Sequence, residues 1–109
     1  MTKKIIAVDL DGTLLNSESK LSDFTKETIK KISEKGHHVI ITTGRPYRMA
    51  KDFYRELELH TPMINFNGSL THLPGQAWEH EKCLTLDKKY LLDMVKRTED
   101  IQADFIAGE

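Results

Sequence analysis

Apolar residues along this chain fall in short bursts separated by polar turns, and the spacing changes from burst to burst. Ile5-Ile6-Ala7-Val8 is a continuous apolar run that stops at Asp9, the pattern of a strand buried on both faces of a parallel sheet. Asp11-Gly12 breaks it, and residues 16–19 read as a polar loop. Ser22 is a helix N-cap candidate, followed by Phe24, Thr28, Ile29 and Ile32 at helical spacing. Gly36 then stands where a helix C-terminus favours a left-handed residue. Val39-Ile40-Ile41-Thr42 predicts a second buried strand, and Gly44-Arg45-Pro46 a turn into a second helix. The stripe of that helix is Met49, Ala50, Phe53, Tyr54 and Leu57. Residues 62–66 predict a third short strand ending at Asn67-Gly68. Strand, helix, strand, helix, strand with short connections defines a right-handed parallel α/β unit.

The remainder has a different texture. Residues 69–73 and 78–82 flank Pro74-Gly75 and predict an antiparallel hairpin. Residues 87–97 predict a helix with Leu91, Leu92 and Val95 on one face, and residues 101–106 a further strand.

Composition narrows the functional classes. In 109 residues, sixteen Lys plus Arg face seventeen Asp plus Glu, so no basic footprint for nucleic acid or an anionic membrane exists. No apolar run approaches the roughly 20 residues of a membrane helix. The apolar run after Lys4 is also shorter than the about 7–15 residues of a signal-peptide core. The single cysteine, Cys83, forms no internal disulfide, which makes a cytoplasmic location the expectation. Cys83 reads as a small buried hydrophobe. The five histidines, at 37, 38, 60, 72 and 80, show no metal-ligand spacing and read as surface or edge residues.

Candidate chemistry sits at the ends of the first two strands. In Asp9-Leu10-Asp11-Gly12-Thr13 the two acids are two residues apart, so both carboxylates project to one side. That end of a parallel sheet is where ligands bind. Two like charges there repel. A bound Mg²⁺ would relieve the repulsion at one and leave the other free to exchange a proton. A plain turn is the competing reading; a calcium loop fails because Leu14 stands where an oxygen ligand is required. Thr42-Thr43-Gly44-Arg45-Pro46 follows the second strand. The Thr43 hydroxyl, the first amides of the next helix and the Arg45 guanidinium suit a phosphate, and Gly44 permits close backbone approach. Asn67-Gly68 taken alone is a turn dipeptide.

Residues 5–15 resemble the first signature of the haloacid dehalogenase-like (HAD) superfamily. Ser22, Thr25, Ile29, Gly36, Thr43-Gly44-Arg45-Pro46 and Asn67-Gly68 resemble its Cof-type phosphatase branch, a likeness running from residue 3 to about residue 82. The resemblance implies a Rossmann-like parallel sheet with flanking helices, here an incomplete core over residues 1–82, with residues 83–109 opening an inserted α/β cap. It implies an Mg²⁺-dependent phosphatase of small phosphorylated metabolites such as sugar phosphates. Asp9 would be the nucleophile and Asp11 the general acid and base. Mg²⁺ would be held by the Asp9 carboxylate and the Asp11 carbonyl. Thr43 and the Gly44 amide would hold the phosphoryl oxygens, helped by the Leu10 and Asp11 amides, with Arg45 matching the motif.

The family's later lysine and acidic-pair signatures have no match here, and Lys82, Lys88 and Lys89 fit neither by motif. The chain is therefore expected to be an N-terminal fragment, weak or inactive alone. The strand carrying Asp9 is expected to be an open sheet edge through which chains pair. The alternative is a non-enzymatic remnant or pairing module that keeps phosphate or metal affinity.

Overall fold

The structure, a computed structural model, describes residues 2–108. Strands β1 (Ile5–Val8) and β2 (His38–Ile41) pair in parallel, with Ile5 opposite His38 and Val8 opposite Ile41. Helix α1 (Asp23–Glu34) is the crossover between them. Helix α2 (Tyr47–Glu56) leads from β2 to β3 (Met63–Asn65), which joins β2 through a parallel bridge between Thr42 and Ile64. The α/β unit read from the hydrophobic pattern is therefore present. The chain then reverses: β4 (Leu70–His72) pairs antiparallel with β3, and β5 (Lys82–Cys83) antiparallel with β4. Helix α3 (Lys88–Lys96) follows.

Each element has a local cause. The Ser22 hydroxyl oxygen accepts the Thr25 amide at 3.1 Å, an N-cap that satisfies one orphan donor of α1. Ser22→Ala is expected to lower stability by about 1 kcal/mol, read as a shifted urea midpoint with an unchanged slope. Gly36 closes α1 at φ +87°, where a side chain would be strained. Between helices and sheet, Leu10, Leu15, Ile29, Val39, Ile41, Ala50, Leu57 and Met63 form the core. None of the helices among the described residues is long and apolar enough to cross a membrane.

Several expectations change. Phe24 is 81% exposed: at 100° per residue it lies about 140° around α1 from buried Ile29, off the packing face. Met49 is half exposed at the rim of the α2 stripe. Asn67-Gly68 is a turn as expected, but it starts a hairpin one strand earlier than the pattern suggests. Positive φ angles at Phe66, Asn67 and Gly68 turn β3 straight into β4. Residues 101–106 form no strand, because the amides of Ile101, Gln102 and Ala103 turn back to carbonyls at and beyond the end of α3. Cys83 is exposed, since among the described residues β5 is an outer strand with only β4 beside it. His72, expected at the surface, is buried, because the early reversal lays β4 against β3 rather than in solvent.

Candidate active site

The chain leaves β1 through Asp9-Leu10-Asp11, and the middle residue fixes the outer two. Leu10 is wholly buried, so the flanking acids face away from the core. The turn is closed by Leu14 and Leu15 amides donating to the Asp9 and Leu10 carbonyls at 3.3 and 2.9 Å. Gly12 at φ +74° lets it reverse so tightly. Asp9 Oδ1 accepts the Leu10 amide at 2.8 Å, which orients the carboxylate at the carboxyl end of β1.

The turn after β2 lies alongside. Thr42 N–H donates to the Val8 carbonyl and Thr43 N–H to the Ile64 carbonyl, at 2.8 and 2.9 Å, so Thr43 is stitched between strands at the same sheet end. Thr43 is only 3% exposed, and its hydroxyl oxygen accepts the Arg45 amide at 3.0 Å. Its own O–H remains a donor. A Cβ at Gly44 would stand 2.9 Å from Asn67 Oδ1, so glycine there admits the Asn67 side chain. The Asn67 backbone N–H donates to the Thr43 carbonyl at 3.2 Å. Asn67 is thus part of this site and not merely a turn.

Arg45 joins the two turns. Its Nε and Nη2 donate to Asp11 Oδ2 and Oδ1, both at 2.7 Å, and its Nη1 to the Met49 carbonyl at 3.2 Å. The guanidinium also lies 5.4 Å from the Phe53 ring centre. The Arg45 hydrogen bonds hold the Asp11 carboxyl below the ordinary carboxylate value. The repulsion expected between Asp9 and Asp11 is therefore answered at Asp11 by an arginine 34 residues away in sequence.

Sequence reasoning passed over Asn65 and His72. Asn65 is fully buried at the end of β3; its Nδ2 donates to the Arg45 carbonyl at 3.0 Å, and its Oδ1 lies 2.7 Å from His72 Nε2. One signal was available: an amide in an otherwise apolar strand is costly unless bonded. Burial lowers the His72 imidazole's proton affinity, against a smaller opposing pull from Glu81. No cluster of three or more His, Cys, Asp or Glu side chains able to hold a metal occurs among the described residues.

The paired acids and the Thr-Gly-Arg turn stand at the carboxyl ends of adjacent parallel strands, the ligand-binding end of a Rossmann-like α/β fold. The profile of the haloacid dehalogenase-like hydrolases matches residues 6–108, and the chain belongs to that family. It is 40% identical over 102 residues to the 5-amino-6-(5-phospho-D-ribitylamino)uracil phosphatase YitU of Bacillus subtilis, covering 93% of this chain and 36% of that protein. It is 42% identical over 69 residues to the pyridoxal phosphate phosphatase YbhA of Escherichia coli, covering 63% of this chain and 25% of that protein. A haloacid dehalogenase-like hydrolase structure from B. subtilis superposes with a TM-score of 0.71 at 32% identity, covering 93% of this chain and 34% of that one. The chain thus spans about a third of the length of such relatives.

Proposed function

We propose that this chain carries the nucleophile and phosphate cradle of an Mg²⁺-dependent phosphatase of small phosphorylated metabolites, sugar phosphates among them. The carrying observation is the meeting of Asp9, Asp11, Thr43, Gly44 and Arg45 at one sheet end, with Arg45 bonded to Asp11. The printed functions of the B. subtilis and E. coli relatives, both phosphatases of small phosphorylated compounds, support it. By the same likeness, residues 1–82 correspond to the first half of the catalytic core and residues 83–109 to the opening of a cap.

The donors fit a hard cation: the Asp9 carboxylate, with one oxygen already oriented by the Leu10 amide, and the Asp11 backbone carbonyl. When bound there, Mg²⁺ supplies positive charge that neutralises the phosphoryl oxygens. Asp9 attacks phosphorus, forming a P–O bond as the bond to the leaving alcohol breaks. Asp11, in its acid form, gives its proton to the leaving oxygen. In the second half Asp11 accepts a proton from water as the water oxygen bonds to phosphorus. The P–O bond to Asp9 then breaks, freeing inorganic phosphate and the original carboxylate. The Thr43 hydroxyl, the Gly44 amide and Arg45 hold the phosphoryl oxygens, as do the Asp11 amide and the Leu10 amide once it parts from Asp9. Negative charge spreads over those oxygens in the transition state, so this positioning carries most of the catalysis. A phosphoryl group entering the cradle competes with Asp11 for Arg45 and so frees the acid for its role.

The test is phosphate release from an aryl phosphate and a panel of sugar phosphates, using this chain and the longest natural product that carries it. Chelation is expected to abolish turnover and added Mg²⁺ to restore it. Turnover indifferent to chelation would contradict the metal assignment. A protein that binds phosphate but releases none from any monoester would favour the non-enzymatic alternative.

A further inference from the structure

The two buried polar residues behind the cradle, Asn65 and His72, lie outside the chemistry just described, yet both are tied to Arg45. The Arg45 carbonyl can only accept, so the Asn65 group facing it is the NH₂, and the Asn65 oxygen must face His72. That oxygen can only accept as well. His72 therefore carries its proton on Nε2, and hydrogen bonding alone fixes the tautomer. The His72 ring also meets the Tyr47 ring edge to face, with centroids 5.0 Å apart. Strand β4 consequently grips the segment between Arg45 and Tyr47 at both ends, by a hydrogen-bonded relay and by a ring contact.

Helix α2 makes such a grip necessary. Its N-cap is Pro46, which provides no side-chain hydrogen bond to the helix start. Asn and Ser, the usual cap residues, would fix the local peptide themselves. Here the Thr43 hydroxyl fixes the Arg45 amide and the Met49 carbonyl takes one guanidinium N–H, while the Arg45 carbonyl is held from across the sheet. The Phe66 amide reaches that carbonyl too, but at 3.4 Å.

We propose that His72 is a positioning residue: through Asn65 it holds the Arg45 peptide so that the guanidinium meets Asp11 and the phosphoryl group. The catalytic consequence rests on the phosphatase reading, whereas the structural consequence does not. Three variants separate positioning from stability. His72→Gln places an amide N–H near the position of Nε2 and keeps the relay. His72→Leu leaves Asn65 Oδ1 unpaired in the interior, which costs stability as well as order. The double variant Asn65→Leu with His72→Leu removes both members of the Asn65–His72 pair together and leaves the Arg45 carbonyl the Phe66 amide alone, at 3.4 Å.

The experiment is ¹H–¹⁵N NMR of the chain, with kinetics of the longest natural product alongside. The His72 ring is expected in the Nε2–H form. The Arg45 Nε–H signal, bonded to Asp11, is expected to be slow to exchange in wild type and His72→Gln. In the double variant it is expected to exchange at least ten-fold faster, in a chain that still unfolds cooperatively in urea and with a midpoint above that of His72→Leu. Turnover should follow the same order, within about three-fold for His72→Gln and down about ten-fold for the double variant, a loss of roughly 1.4 kcal/mol in transition-state binding. An Nδ1–H tautomer overturns the proposal, and so does an unchanged Arg45 signal in a folded double variant or a His72→Gln variant as impaired as His72→Leu. If no form hydrolyses a phosphate ester, the phosphatase reading fails while the NMR still decides the relay.

Discussion

Replacing Asp9 by Asn is expected to cut phosphate-ester turnover by about 10⁴-fold or more while leaving the fold intact. The side chain is nearly isosteric, and its oxygen can still accept the Leu10 amide that now reaches Asp9 Oδ1 at 2.8 Å. What is lost is an anionic oxygen able to bond to phosphorus, together with a charged ligand for the cation. Because both functions reside in one carboxylate, substrate affinity is expected to change far less than turnover at saturating metal. Steady-state kinetics beside a urea melt checks this: a variant as active as wild type places the nucleophile elsewhere.

Arg45→Ala is the second large effect, expected at about 10²- to 10³-fold in kcat/KM, the magnitude found when a fixed donor to developing charge is removed. The guanidinium spends three of its donors on Asp11 and the Met49 carbonyl and is steadied by the Phe53 ring. Lysine cannot reproduce that fork, so Arg45→Lys is expected to recover only a small part of the loss. The same substitution releases Asp11. Its carboxyl, held low by Arg45, is expected to titrate at higher pH in the alanine variant. The sign follows from the depressed value: the stabilising contribution of the pair is present above the unfolded carboxyl's titration and fades as pH falls through the folded one. A carbon-13 titration of the Asp11 carboxyl reads the shift directly. An unmoved Asp11 would mean that the ion pair does not persist in solution.

The parts of this molecule legible from sequence are those whose cause is local. Ile5-Ile6-Ala7-Val8 and Val39-Ile40-Ile41 announce parallel strands because such runs suit a sheet covered on both faces; the burial holds for Val39 and Ile41 of β2 but not for β1, where Ile5 and Ala7 are exposed and Ile6 and Val8 only half-buried. Ser22 and Gly36 bracket α1 through cap chemistry that needs no tertiary information. Asp9, Asp11 and Thr43 stand out because each lies within three residues of a strand's carboxyl end. Arg45 was visible as a cation beside them, but its bond to Asp11 depends on how β1 and β2 register.

What stayed hidden depends on partners distant in sequence. Asn67-Gly68 promised a turn, yet three successive positive φ angles were needed to fold β4 back on β3. That reversal, invisible in the hydrophobic pattern, buries His72 beside Asn65. Phe24 and Cys83 misled for the opposite reason, since apolar character alone does not say which face of α1 packs or that β5 lies outermost. Among the described residues β1 pairs only with β2, and Ile5 is 71% exposed.

The most direct test of the central claim, that Asp9 becomes covalently phosphorylated, is acid quench of the Asp11→Asn variant during turnover, followed by peptide mapping. Asparagine at position 11 cannot take the proton from water, so release from Asp9 slows more than its formation with a good leaving group such as an aryl alcohol. The account predicts one acid-stable, hydroxylamine-labile phosphoryl group on the peptide carrying Asp9, absent from Asp9→Asn. Turnover with no phosphorylated peptide, or a phosphoryl group on another residue, would contradict it.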